Sequence, residues 1–244
     1  MYNRDVKDER TRILKSPAIL DGVQIRDLYD GFDSSIASLD CGKKCAPHNP
    51  NGKPFCCDIC HAVPAAYKSE WNHFQQSTDL WHAWRGDECG DGSLTEYSKL
   101  KSETPRDMVL LACLGPSLCQ REYRALSCRQ FPFFPYVTSE YRFIGLAYEW
   151  EFEDKCWVIS NLSRVTRKYR LEFVGTFDRL FASFQSEFDN YAFHSEKMRR
   201  EFIKRKRRFP LLHRNGKTYL VSPGSERMRT VSPERLPGFG PYQP

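Results

Sequence analysis

The sequence predicts an α+β fold: an irregular, cysteine-rich, metal-binding core with short strands, closed by long C-terminal amphipathic helices. Three observations carry that reading. Eight of the ten cysteines fall in two compact groups, Cys41, Cys45, Cys56, Cys57 and Cys60, then Cys113, Cys119 and Cys128. Short apolar stretches follow or precede them, DMVLLAC at 107–113 and YRFIGLAYEWEF at 141–152. From about residue 163 to 208 the apolar period turns helical, with Val165, Tyr169, Phe173, Phe177, Leu180, Phe181, Phe184, Phe188 and Tyr191 recurring at three- and four-residue steps.

Taken in order, residues 1–40 read as an N-terminal arm. Its first fifteen residues are polar and charged, a short helix or loose arm, and residues 16–40 suit two short strands or turns. The span 41–160 is the cysteine-cluster domain. Between Cys45 and Cys56 the loop APHNPNGKPF carries Pro47, Pro50, Gly52 and Pro54, which exclude regular structure and can aim thiols inward. Residues 61–84 read as largely helical, Pro64 standing in the first turn, where its missing amide costs nothing. Trp71, Phe74, Leu80, Trp81 and Trp84 give that helix an aromatic face. The polar, Gly-rich stretch 85–106 is a surface excursion, and Cys89 within it reads as an incidental exposed thiol. Residues 107–113 form a buried strand that delivers Cys113, and Cys119 to Cys128 a short helix or tight loop. The proline-rich FPFFPYV at 131–137 should lie extended, with a strand over 141–152.

Residues 161–209 are a helical segment packed on the core, as one long helix or two broken near Asp189-Asn190. Its aromatic stripe reads as core packing rather than a cofactor pocket. The closing run Lys204-Arg205-Lys206-Arg207-Arg208 favours the helix C-terminus. Residues 210–244 are a basic hairpin, turning at Asn215-Gly216, and a Pro/Gly-rich tail that hugs the surface or is partly disordered.

Bulk properties narrow the function. The chain is 40% hydrophobic and 14% aromatic, enough for a core. No run of eighteen apolar residues exists, so no transmembrane helix and no membrane partner is expected. The stretch MYNRDVKDERTRILK lacks the apolar core of a signal peptide, so a cytoplasmic location is expected. There thiols stay reduced, and clustered cysteines point to metal or redox chemistry rather than to five disulfides. The net charge of +6 comes largely from the late basic residues.

Thiolate is a soft ligand that suits zinc, copper(I) and iron–sulfur clusters. Zinc takes four ligands, often from closely spaced pairs, and Cys41-x3-Cys45 with Cys57-x2-Cys60 offers such pairs. That choice leaves Cys56, Cys113, Cys119 and Cys128 over. A cluster also takes four thiolates. Either two metals are bound, or one metal with free thiols nearby. Among the arginines beside the second group, Arg121 reads as a surface residue and Arg129 as a structural or supporting group near the site. His61 and His73 read as packed or exposed residues. No phosphate loop, catalytic triad or telling carboxylate pair is present, so no catalytic residue is assigned.

Cys41-x3-Cys45, the Cys56-Cys57 pair, then Cys113, Cys119, Tyr123, Cys128-Arg129 and Phe131-Pro132 together resemble the YkgJ-type cysteine cluster family, described as a zinc- or iron-chelating domain. The resemblance covers about residues 41–156. It implies a cysteine-bound metal and offers Cys156 as a late ligand. The chain departs from the family pattern in the stretched first group, in the extra thiol Cys60, and in Arg124-Ala125 where Arg-Pro is common. A more distant likeness in cysteine pattern is to the flagellin lysine N-methylase, which would imply a protein-modifying activity.

The expected function is thus a cytoplasmic metalloprotein holding an iron–sulfur cluster, 4Fe-4S favoured, or zinc, with a redox or protein-modifying role. The expected ligands are Cys41, Cys45, Cys56, Cys57, Cys113, Cys119 and Cys128, with Cys156 and Cys60 added. Whether it is an enzyme is left open, as is the identity of a protein partner or substrate. The competing reading is a zinc-stabilised, non-enzymatic binding module that uses the basic C-terminal region toward a protein or, less favoured, nucleic acid.

Overall fold

The computed structural model describes residues 22–89, 93–105 and 108–243. The expected helix or arm over residues 1–15 lies outside them. The fold is α+β, with two antiparallel sheets and a pair of long C-terminal helices.

The first helix, α1 (Gly22–Asp30), falls where short strands or turns were expected. Ile25, Leu28, Tyr29 and Phe32 recur at helical spacing and are all buried, which outweighs the Gly and Asp around them. Tyr29 stacks on Phe74, and Phe32 meets Tyr169 and Phe173 at ring centroids 5.3 and 5.8 Å apart. One helical turn, α2 (Gly42–Cys45), follows.

Residues 61–84 are not one helix. They form β1 (Ala65–Tyr67), α3 (Lys68–Ser77) and β2 (Trp81–Ala83). Both strands pair antiparallel with β3 (Met108–Cys113), the expected apolar strand, giving the order β1-β3-β2. Pro64 therefore precedes a strand, and its carbonyl accepts from the Leu111 amide at 2.8 Å. Trp81 lies stacked on Phe74 across 5.5 Å. Within the polar excursion the chain makes a helix, α4 (Ser93–Glu103).

After α5 (Leu126–Gln130), the proline-rich stretch runs extended as β4 (Phe133–Val137), every residue buried. It pairs with β5 (Phe143–Tyr148), and the meander continues through β6 (Phe209–His213), β7 (Thr218–Val221) and β8 (Met228–Thr230). The β6–β7 hairpin turns at Asn215-Gly216 as expected, Gly216 taking φ +89°, open to glycine at no steric cost. The tail is ordered: β8 extends the sheet, and residues 239–243 fold back on the cysteine domain.

Between β5 and β6 the chain makes α6 (Trp157–Ser160), α7 (Arg167–Ser183) and α8 (Gln185–Lys204). Thr166 caps α7, its hydroxyl accepting from the Tyr169 amide. The two long helices part at Phe184, which is extended, and not near Asp189-Asn190. The aromatic stripe fixes that position. Phe177 and Phe181 of α7 meet Phe188 and Tyr191 of α8 at 5.0 to 6.0 Å, so the chain must reverse before Phe188. Tyr169, Phe173, Phe177 and Leu180 are wholly buried, the core packing expected of them.

Candidate metal centre

Cys41 is the N-cap of α2 and Cys45 its last residue, one helical turn on, so their side chains share a face. The chain leading into them hangs from the start of α7: Ala37 bridges Val165, and the Thr166 amide donates to the Ile36 carbonyl at 2.8 Å. The loop that follows is tied by a polar knot. Buried Asn49 donates to Asp58 and to the Lys53 carbonyl, both at 2.9 Å, and Asn51 donates to Asp58 at 2.8 Å. Burial would raise the Asp58 carboxyl, but these amide donors and the Cys60 amide outweigh it and hold it low. The knot fixes the turn Phe55–Cys57, which presents Cys56 and Cys57.

The second group arrives from a different sheet. Cys113 ends β3, paired with Trp81, and Gly115 at φ +102° turns the chain toward Cys119. Cys128 lies on α5. The loop between them is shaped by Arg129, whose side chain is only 4% exposed. All five of its N–H groups donate to backbone carbonyls: those of Arg124, Tyr29, Phe32, Arg121 and Glu122, at 2.7 to 3.2 Å. The guanidinium also stacks over the Tyr29 ring at 4.2 Å. Arg129 is therefore the structural group expected, and it acts on the backbone rather than on sulfur. Buried Glu70, which the sequence reading passed over, adds a second tie. It accepts from the Tyr29 hydroxyl, the Tyr67 amide and the Leu126 amide, joining α1, α3 and α5. Cys156 stands at the N-terminus of α6.

These segments bring eight free thiols into one region. Cys41, Cys56, Cys57, Cys113, Cys119 and Cys128 line a cavity of about 690 Å³. Cys45 is buried behind it, its Sγ 3.2 Å from the Cys41 carbonyl. Cys156 lies within electrostatic reach of Cys41 and Cys45. Cys60 is the exception. It is joined in a disulfide to Cys89, which corrects both expectations, since Cys60 has no thiolate to offer a metal and Cys89 is no lone thiol. The Sγ atoms of Cys56 and Cys57 are 3.9 Å apart, and among the described residues no three His, Cys, Asp or Glu groups close around a single ion.

The electrostatics are those of a thiol cluster short of positive charge. Burial and the neighbouring Cys45 and Asp40 push Cys41 up to about 11, and burial with Cys41 and Cys45 pushes Cys156 up to about 12. Cys128, Cys113 and Cys45 are raised, burial first among the causes. Cys57 goes the other way, down to about 7, because Cys56 donates to it and the Arg124 cation lies near; Cys56 is correspondingly raised. Lys43, Arg121 and Arg129 also line the cavity, but Arg124 is the cation that meets sulfur, its Nε donating to Cys119 Sγ at 3.1 Å. Arg124 stands in the sequence among the arginines beside the second group without being singled out, and only the folded loop shows that this residue, five after Cys119, meets the sulfur.

His61 packs edge-on against Phe55 and lies 4.0 Å from Asp58, and His73 faces Ser77. Both match their expected packed or exposed roles. The basic run is partly committed within the fold. Arg205 pairs with Glu201 and Glu153, and Arg207 pairs with Glu153 and lies over the Phe202 and Phe239 rings. Among the described residues no helix is long and apolar enough to cross a membrane.

Comparison of the chain with protein-family models, characterised proteins and solved structures gave no match. The likeness to cysteine-cluster proteins rests on the residues quoted for it.

Proposed function

We propose that the protein is a cytoplasmic metalloprotein whose clustered thiols bind an iron–sulfur cluster or zinc. The observation that carries this reading is the convergence of eight free cysteines from separate segments into one region, six of them lining a single cavity. Burying that many thiols with little positive charge leaves most of them protonated, as their raised pKa values express. A soft cation reverses the balance: it replaces the protons and supplies the missing charge. The donor set fits such a group, since six of the eight thiols line the cavity and Arg124 can offset residual negative charge.

The spread of the thiols favours a cluster over zinc. Tetrahedral zinc thiolate, with Zn–S of about 2.3 Å, holds its sulfurs about 3.8 Å apart. Cys56 and Cys57 meet that spacing at 3.9 Å, but among the described residues no third ligand joins them. An inorganic core with its own bridging sulfides suits a wider ring of thiols. When bound, such a core supplies one-electron chemistry. This chain supplies the thiolates, the Arg124 cation, and the backbone held by Arg129 and Asp58.

The test is metal and sulfide analysis with an absorption spectrum on the full chain purified without oxygen. Iron with matching acid-labile sulfide and a broad visible band supports the cluster. One or two colourless zincs per chain would move the assignment to zinc. Protein that takes up neither metal under reducing conditions would overturn the proposal.

A further inference from the structure

We infer that the β6–β7 turn and the start of α7 form a docking face for the phosphate backbone of a nucleic acid, carried by Arg164, Arg167, Lys217 and Arg235. The inference goes beyond the metalloprotein reading and does not depend on it. Charge is divided along the chain. Beyond residue 160, Lys and Arg outnumber Asp and Glu more than two to one, whereas before it the acids are in the majority. The positive excess therefore belongs to the long helices, the meander and the tail, not to the thiol region.

Folding gathers part of that charge from four separate segments. Arg167 opens α7, and Arg170, one turn on, donates to the His213 and Lys217 carbonyls at 3.0 and 3.1 Å, which fastens the β6–β7 turn to the helix. Past β8 the Val231 amide donates to the Thr218 carbonyl at 3.0 Å, so the chain leaves the sheet beside Lys217. The turn Pro233–Arg235 that follows packs against the turn Leu162–Arg164 ahead of α7. Arg164, Arg167, Lys217 and Arg235 are all exposed, and none of them is ion-paired among the described residues. Two acids belong to the same segments. Glu172 pairs with Lys168 and accepts from the Asp33 and Ser34 amides, and Glu234 accepts from Ser232. Cations remain in excess. A nucleic acid fits this face better than a membrane or a protein does. A membrane-surface helix turns its apolar side outward, whereas that of α7 packs into the core and leaves Leu171 as its one exposed large apolar side chain. A protein interface is built around a buried apolar centre, which these segments lack. Single charges spread over several elements match repeated phosphates, and guanidinium can bind each through two N–H groups. The run Lys204–Arg208 leads into β6 at Phe209, the end of that strand away from His213, and so stands apart from the face.

The experiment measures fluorescence anisotropy of a labelled DNA duplex and a labelled RNA hairpin, both of arbitrary sequence, titrated with the full chain across a salt series. Four phosphate contacts predict a slope of log affinity against log salt of about −3 to −4. The double variant Arg167→Gln, Arg235→Gln should weaken binding about ten- to a hundredfold at about 50 mM salt and make the slope shallower by about 2. Lys204→Gln with Lys206→Gln, on the basic run, should leave the slope unchanged. Metal content is measured in every variant and should stay that of the parent, so the thiol site and this face are tested apart. Circular dichroism checks that the variants are folded. Binding to neither nucleic acid at low salt would overturn the proposal. So would an equal loss in the Lys204, Lys206 variant, or binding to anionic phospholipid vesicles alone.

Discussion

Changing Arg129 to lysine keeps the charge and removes the fork, and so measures how far one guanidinium holds the second thiol group in place. Arginine spends five N–H donors on five carbonyls, two of them at the end of α1 and three in the loop 121–124. An ammonium has three donors clustered at one point. At least two carbonyls lose their partner in a site where the side chain is 4% exposed. Hydrogen bonds to charged groups contribute about 1.5 to 3 kcal/mol each, so the loss should be at least about 3 kcal/mol. With a urea dependence of about 1 to 3 kcal/mol per molar, the unfolding midpoint should fall by about 1 to 3 M. Tryptophan fluorescence reports the transition, with both proteins in the same metal state. Arg121→Lys, at a more exposed side chain, should move the midpoint far less. A midpoint for Arg129→Lys within about 0.3 M of the parent would show that the carbonyls find other partners, and the loop argument would fail.

Cys89→Ser should keep the full metal content yet lower stability, since the disulfide it breaks closes a 29-residue separation and chain entropy alone assigns it about 3.5 kcal/mol; unchanged urea midpoints under oxidising conditions would argue against the Cys60–Cys89 link. Gly145→Ala would place a Cβ 2.4 Å from the Leu212 carbonyl oxygen and 2.8 Å from the His213 Cα, both backbone atoms of β6. Overpacking of that kind should cost about 2 to 4 kcal/mol, read from thermal and urea unfolding. In metal-free protein the raised thiols of Cys41 and Cys156 hold protons that the unfolded chain gives up above about pH 8.5. Their contribution is therefore present at pH 8 and is lost as pH climbs toward 11 and 12. Unfolding midpoints across that range should fall, and fall less steeply in Cys41→Ala.

Some of this fold can be read directly from residue order. The run DMVLLAC gives β3 because its apolar residues have no polar partner to alternate with, and Asn215-Gly216 gives the β6–β7 turn because few other pairs accept its backbone angles. The stripe from Tyr169 to Tyr191 names its helices for the same reason: bulky rings at three- and four-residue spacing bury only one way. Other features are set by tertiary packing. Ile25, Leu28, Tyr29 and Phe32 carry a helical period, but Gly22, Asp27 and Asp30 mask it until α3 and α7 are there to receive it. Trp81 reads as one more ring on a helix, and becomes a strand residue because β3 offers it an edge. Four clustered thiols near Cys60 hide its pairing with Cys89, which only distance in space reveals. Arg124 and Arg129 differ little as letters, yet one faces sulfur and the other backbone.

The five-stranded sheet has a bearing on how copies of this chain can meet. Its β8 edge is three residues long, all exposed, with Arg229 in the middle. Short, charged edges make poor templates for another strand. At the opposite edge α8 occupies the free groups of Val137: Ser195 accepts from its amide at 3.0 Å, and Arg199 donates to its carbonyl at 3.0 Å. Growth of the sheet by strand addition is thus discouraged at both ends. A protein rich in buried β-strand residues such as Phe133, Phe134 and Tyr136 gains from that, because the same segments, left unpaired, would be the ones to aggregate.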